Sequence, residues 1–152
     1  MQTFLAVDPC DYEIRSLYRF ATLKPETGLL EALKPVWPAN PRLLMIAADS
    51  DDATTTENLA LDLASALSKA GLEVGEVRVL EADTAEHAAQ LMPGAQVVVL
   101  ADGDAEKRSA FFAAVDAARL LGELADDTVV IALDEAALAA AGLRVDEGRR
   151  FG

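Results

Sequence analysis

From residue 42 onward the chain alternates between two patterns, and that alternation restricts the fold more than any other feature. Short apolar runs rich in β-branched residues are bounded by turn residues, and between them lie longer segments whose apolar positions recur every three or four residues. The runs are Leu43 to Ala47, Val74 to Leu80, Gln96 to Ala101 and Thr128 to Leu133. Strands alternating with helical segments predict a parallel sheet with crossover helices. The expected architecture is therefore three-layer α/β/α around a mainly parallel sheet, flavodoxin-like in its layering. Thr3 to Val7 supplies a first strand. A long irregular segment follows, with a short helix near Leu29 to Lys34, and Pro35, Pro38 and Pro41 lead into the second strand.

The helix signals are specific. Thr54 and Glu57 have capping-box spacing, Leu59, Leu63, Leu67 and Ala70 form one apolar face, and Gly71 stops the helix. Thr84 is placed to cap a short helix ending near Leu91. Asp104 caps a helix running to about Leu121, with Phe111, Val115 and Ala118 toward the sheet. The last helix spans Glu135 to Ala141, and Arg144 to Gly152 reads as a ragged tail.

A chain of 152 residues suits one domain with a full core. The composition, 52% hydrophobic but only 5% aromatic, means that Ala, Leu and Val must fill that core. A net charge of −13 argues against nucleic acid, whose binding needs clustered Lys and Arg, and against anionic membranes. No run approaches the ~20 apolar residues of a membrane-spanning helix. Cys10 is the only cysteine, which leaves no internal disulfide and no Cys-rich zinc site. The expectation is a cytoplasmic protein.

In open parallel sheets, ligands bind outside the carboxyl ends of the strands. Here those positions are acidic: Asp49, Asp51 and Asp52 after the second strand, Asp102 and Asp104 after the fourth, Asp134 and Glu135 after the fifth. Carboxylates from three loops can surround magnesium, as in receiver-like or phosphoryl-handling domains. The same residues are also preferred helix caps. Neither a Walker-type loop nor a Gly-x-Gly-x-x-Gly turn follows any strand. The site residues to locate are therefore Asp49, Asp51, Asp102, Asp134 and Glu135, with no cofactor expected other than magnesium.

The order of elements resembles the dipeptidase E-like serine peptidases, relatives of the class I glutamine amidotransferase fold. The resemblance rests on Thr3-Phe-Leu-Ala-Val-Asp-Pro-Cys10, Gly28-Leu-Leu-Glu-Ala-Leu-Lys34 and Pro41-Arg-Leu-Leu-Met-Ile-Ala-Ala-Asp-Ser-Asp-Asp52. It continues through Val97-Val-Val-Leu-Ala-Asp-Gly103 and Ala110-Phe-Phe112, and covers roughly residues 1 to 138. In that family a Gly-x-Ser-Ala-Gly elbow carries the nucleophile. Here the five residues are Ala132-Leu-Asp-Glu-Ala136, so Asp134 stands where the resemblance implies the serine. Asp102-Gly103 stands where it implies the oxyanion-hole glycine pair. The one histidine, His87, lies upstream of the elbow, whereas a triad of this family needs one downstream. Ser109, the last serine, has no evident base.

These observations lead to the expectation of a truncated, non-hydrolytic member that binds a small ligand, a short peptide or a protein. A homo-oligomer is expected, its missing layer supplied by a partner chain. Two alternatives stand beside it: a serine-type or carboxylate-dependent exopeptidase acting on short acidic peptides, with Asp134 or a serine from elsewhere doing the work, and the magnesium-binding, receiver-like or phosphoryl-handling domain.

Overall fold

The structure, a computed structural model, describes residues 1–152. In chain order its elements are β1 (Gln2–Ala6), β2 (Cys10–Arg15), β3 (Tyr18–Leu23), α1 (Leu29–Leu33), β4 (Arg42–Ile46), α2 (Ala53–Lys69), β5 (Glu76–Leu80) and α3 (Ala88–Leu91). Then come β6 (Val97–Leu100), α4 (Ala105–Ala114), α5 (Ala117–Gly122), β7 (Val129–Ala132), α6 (Glu135–Ala141) and β8 (Arg150–Phe151). Six strands form one sheet in the order β5-β4-β6-β7-β1-β8, and every pairing in it is parallel.

Register explains why the strands read as continuous apolar runs. Met45, Val99, Ile131 and Phe4 lie in one row across four strands, and each is at most 1% exposed. Side chains alternate across a strand, so this row faces one helical layer and its sequence neighbours face the other. The first layer contains α1, α2 and the β2–β3 hairpin, with Leu29, Leu33, Leu63, Leu67 and Ala21 against the sheet. The second contains α3 to α6, with Met92, Phe111, Leu121 and Leu138 against Leu44, Val98, Leu100 and Val130. The three-layer α/β architecture is therefore as the alternation predicts. Both faces are covered within one chain, so the expectation of a layer borrowed from a partner is corrected.

Several local readings also change. The cap of α2 is Asp52: its Oδ1 accepts from the Thr55 amide at 3.2 Å and its Oδ2 from the Thr55 hydroxyl at 2.7 Å. Thr54 and Glu57 do not form the expected box, because an aspartate two residues earlier reaches the same orphan amides. The stop at Gly71 is as expected: this residue takes φ +93°, with Gly71 N–H bonded to Ser68 O and Leu72 N–H to Leu67 O. Thr84 makes no helix cap; its hydroxyl donates to Val79 O at 2.9 Å and accepts from the Glu81 amide, tying down the turn after β5.

The helix expected from Asp104 to Leu121 is two helices. Asp116 adopts a left-handed conformation (φ +58°), which resets the phase, so Ala117, Leu120 and Leu121 turn inward and Ala118 turns out. The segment after β1 is an ordered antiparallel hairpin, closed by Ser16 and Leu17 between Arg15 and Tyr18. The tail ends in β8, where Val7 N–H bonds to Phe151 O at 2.9 Å and Phe151 stacks on Phe4. No helix is long and apolar enough to cross a membrane.

Candidate functional site

The chain leaves β4 into α2 on one face and leaves its neighbour β6 into α4 on the other. At such a switch the loops part and open a crevice beyond the strand ends. A cavity of about 110 Å³ lies there, lined by Ala48, Asp49, Thr55, Thr56, Asp102 and Gly103 among others. A second, of about 60 Å³, adjoins it beyond β1 and β7, with Asp8, Cys10, Tyr12 and Leu133 in its wall. Leu59 and Asp102 line both.

Gly103 is placed by necessity. It has φ +150°, and a Cβ there would meet the Ala48 Cβ at 2.9 Å, so only glycine lets the β6 loop close over the β4 loop. Its amide points at the Asp134 Oδ2, 3.4 Å away.

Asp134 is the best-connected carboxylate at this edge. Its Oδ1 accepts from the Ala137 amide at 2.8 Å, capping α6, and its Oδ2 accepts from Arg108 Nη2 at 2.7 Å. Its backbone, at φ −150° and ψ +166°, is ordinary extended chain and lacks the strain of a nucleophile elbow.

Arg108 is the residue that sequence reasoning missed. Its side chain is 0% exposed, and Nη2 also donates to Ala101 O at 3.2 Å and Gly103 O at 3.3 Å. The signal was present: Arg108 falls on the repeat 108, 111, 112, 115, in phase with Phe111, Phe112 and Val115 on the buried face of α4. An arginine in that register must carry its charge into the core, and a carboxylate must meet it there.

The remaining acids are dispersed. Asp49 Oδ2 pairs with Lys107 Nζ at 3.2 Å, a bond that holds the ammonium above its usual pKa, and Asp49 Oδ1 takes the Asp51 amide at 3.1 Å. Hydrogen bonds from the Thr55 hydroxyl and amide hold the Asp52 carboxyl below its usual range. Asp104 caps α4 through the Lys107 amide at 2.9 Å, as the sequence predicts. Glu135 lines neither cavity and binds Arg150 at 2.8 Å, joining α6 to β8. Asp102 lines both cavities without an intramolecular partner.

Cys10 is buried in the wall of the second cavity, and its thiol is pushed up to about 11 by burial first and by the charges of Asp62, Asp8 and Asp11 next. His87 is exposed beside Glu86 on the turn before α3, and Ser109 is exposed on α4. No group of three or more His, Cys, Asp and Glu side chains converges where it could hold a metal ion.

Comparison of the chain with protein-family models, with curated proteins and with solved structures finds no match.

Proposed function

We propose that the chain is a non-hydrolytic binding domain of the dipeptidase E-like kind, and that its site is the acidic crevice at the β4–β6 switch. Its ligand is a small polar molecule carrying an ammonium group. The observation that carries the non-hydrolytic reading is the commitment of Asp134: one oxygen caps α6 and the other is held by Arg108 and the Gly103 amide. The carboxylate thus sits where an oxyanion would need those donors, and it occupies them itself. Neither His87 nor Ser109 lies in the crevice wall to act as base or nucleophile.

The ligand class follows from size and charge. The cavities, about 110 and 60 Å³, fall below the roughly 300 Å³ at which pockets begin to enclose drug-sized ligands, so a small molecule suits them better than a peptide. Asp102 offers an unpaired carboxylate to both cavities, and a charge-assisted bond from an ammonium would complete it. The magnesium alternative draws no support from carboxylates already bonded to Lys107, Arg108, Arg150 and backbone amides.

Two assays test this reading. Aspartyl dipeptides and an aspartyl chromogenic amide should show no turnover above background; turnover that disappears in Asp134→Ala would overturn the non-hydrolytic reading. In an NMR titration, 1,4-diaminobutane should shift the amides of Ala101, Asp102 and Gly103, and Asp102→Asn should remove the shifts. Equal shifts from succinate would contradict the charge argument.

A further inference from the structure

The β2–β3 hairpin leaves the body of the protein with one long strand edge open. Its other side is docked: β3 lies along α2, where Lys69 Nζ donates to Ala21 O at 3.0 Å and Arg19 pairs with Asp62 at 3.5 Å. In β2, every residue from Asp11 to Arg15 is exposed. The apolar side chains around the tip are exposed as well, Ile14 at 76%, Leu17 at 96% and Tyr18 at 70%.

The register identifies the free groups. Arg15 and Tyr18 flank the two-residue turn, so they form a hydrogen-bonded pair, as do Glu13 with Phe20 and Asp11 with Thr22. The alternation sends the N–H and C=O of Tyr12 and Ile14 outward. The same alternation sends Ala21 O outward on the opposite strand, where Lys69 meets it. Other edges of the fold are guarded. On β5 the Thr84 hydroxyl occupies Val79 O, and β8 is two residues long. An open edge beside exposed apolar side chains is a template for another strand.

We propose that this edge pairs with β2 of a second copy of the chain, antiparallel about a two-fold axis through Ile14. Charge selects both the partner and the register. Three two-fold registers pair outward-facing residues. Tyr12 on Tyr12 sets Asp11 against Glu13 of the second copy on both sides, and Tyr12 on Ile14 sets Glu13 against Glu13 at the centre, between two Asp11–Arg15 pairs. Ile14 on Ile14 sets Glu13 against Arg15 twice and brings two β-branched side chains together at the centre, with no like charges opposed. The intrachain Glu13–Arg15 ion pair, both members exposed, then becomes part of a network of four side chains across the two β2 strands. A two-fold contact of this kind closes on itself and stops at the dimer. Its small size makes it a weak, concentration-dependent one.

Sedimentation velocity on the full chain, from about 5 to 500 µM in roughly 0.3 M NaCl to screen the like net charges, tests the pairing. The weight-average mass should rise from 16.1 kDa toward twice that value. Ile14→Lys, at an exposed position, should keep the circular-dichroism spectrum and Tm of the parent and remain monomeric throughout. Arg15→Glu alone should weaken association at least about tenfold, and Glu13→Arg combined with Arg15→Glu should restore it, because the swap again sets opposite charges against each other in the Ile14-centred register. A parent that stays monomeric across the range overturns the proposal, and so does a dimer unaffected by Ile14→Lys. Failure of the charge swap to restore association overturns the register.

Discussion

Asp134 serves three groups at once: the Ala137 amide at the start of α6, the Gly103 amide, and the buried guanidinium of Arg108. Removing it strands a fully buried cation and uncaps a helix. Breaking a buried ion pair from one side costs about 3–5 kcal/mol, and because Asp134 is 28% exposed the lower end applies. Asp134→Ala should therefore lose about 3 kcal/mol in urea denaturation. The capping role of Asp134 was legible in the sequence, as an acid before a helical run. Its partner was not, because an arginine reads as a surface residue unless its phase with Phe111, Phe112 and Val115 is noticed.

Cys10 gives a pH prediction. Burial raises its pKa from about 9 to about 11, so the folded state holds the proton more tightly than the unfolded chain does. That contribution to stability is fully present below about pH 9 and is lost as pH rises toward about 11. At pH 8 alkylation by iodoacetamide should be slower by about a hundredfold than in urea, following the two-unit difference in thiolate fraction. Equal rates would show the thiol open to solvent.

At the scale of elements, α2 tests which residue begins a helix. Asp52→Ala should lower Tm by about 3 °C, and Thr54→Ala should leave it within about 1 °C, measured by calorimetry. The reverse ranking would restore the Thr54–Glu57 box. Five of the six strands of the main sheet, and α6, were legible because each is mostly apolar and bounded by turn residues, or has a clean period and a cap. The hairpin was not, because its turn is Ser16-Leu17 with Ser16 at φ +59°, where the usual signature is Asn-Gly or Gly. The break at Asp116 was hidden for the same reason: a left-handed aspartate leaves a much weaker mark in the sequence than a glycine does. β8 was missed because two residues carry no period, and contacts distant in sequence, with Phe4, Ala6 and Val7 among them, fix Phe151 in place.

For the whole molecule, a net charge of −13 on a three-layer domain makes self-repulsion a general destabilising term. Raising NaCl from about 0.05 to 0.5 M shortens the screening length from roughly 14 to 4 Å and should raise Tm, with potassium and sodium chloride equivalent. A fall in Tm would mean that the surface ion pairs outweigh the repulsion. The carboxyl edge of the sheet is part of the same cooperative unit, because Arg108 and Asp134 join the β6 loop, α4 and α6 to one another. Their role as scaffold is measured most directly by global unfolding in a double-mutant cycle of Arg108→Met and Asp134→Asn. A locked pair predicts a coupling energy of about 2–3 kcal/mol, with the double variant more stable than the sum of the single losses implies. Losses that add to within about 0.5 kcal/mol would contradict the lock and free Asp134 for chemistry.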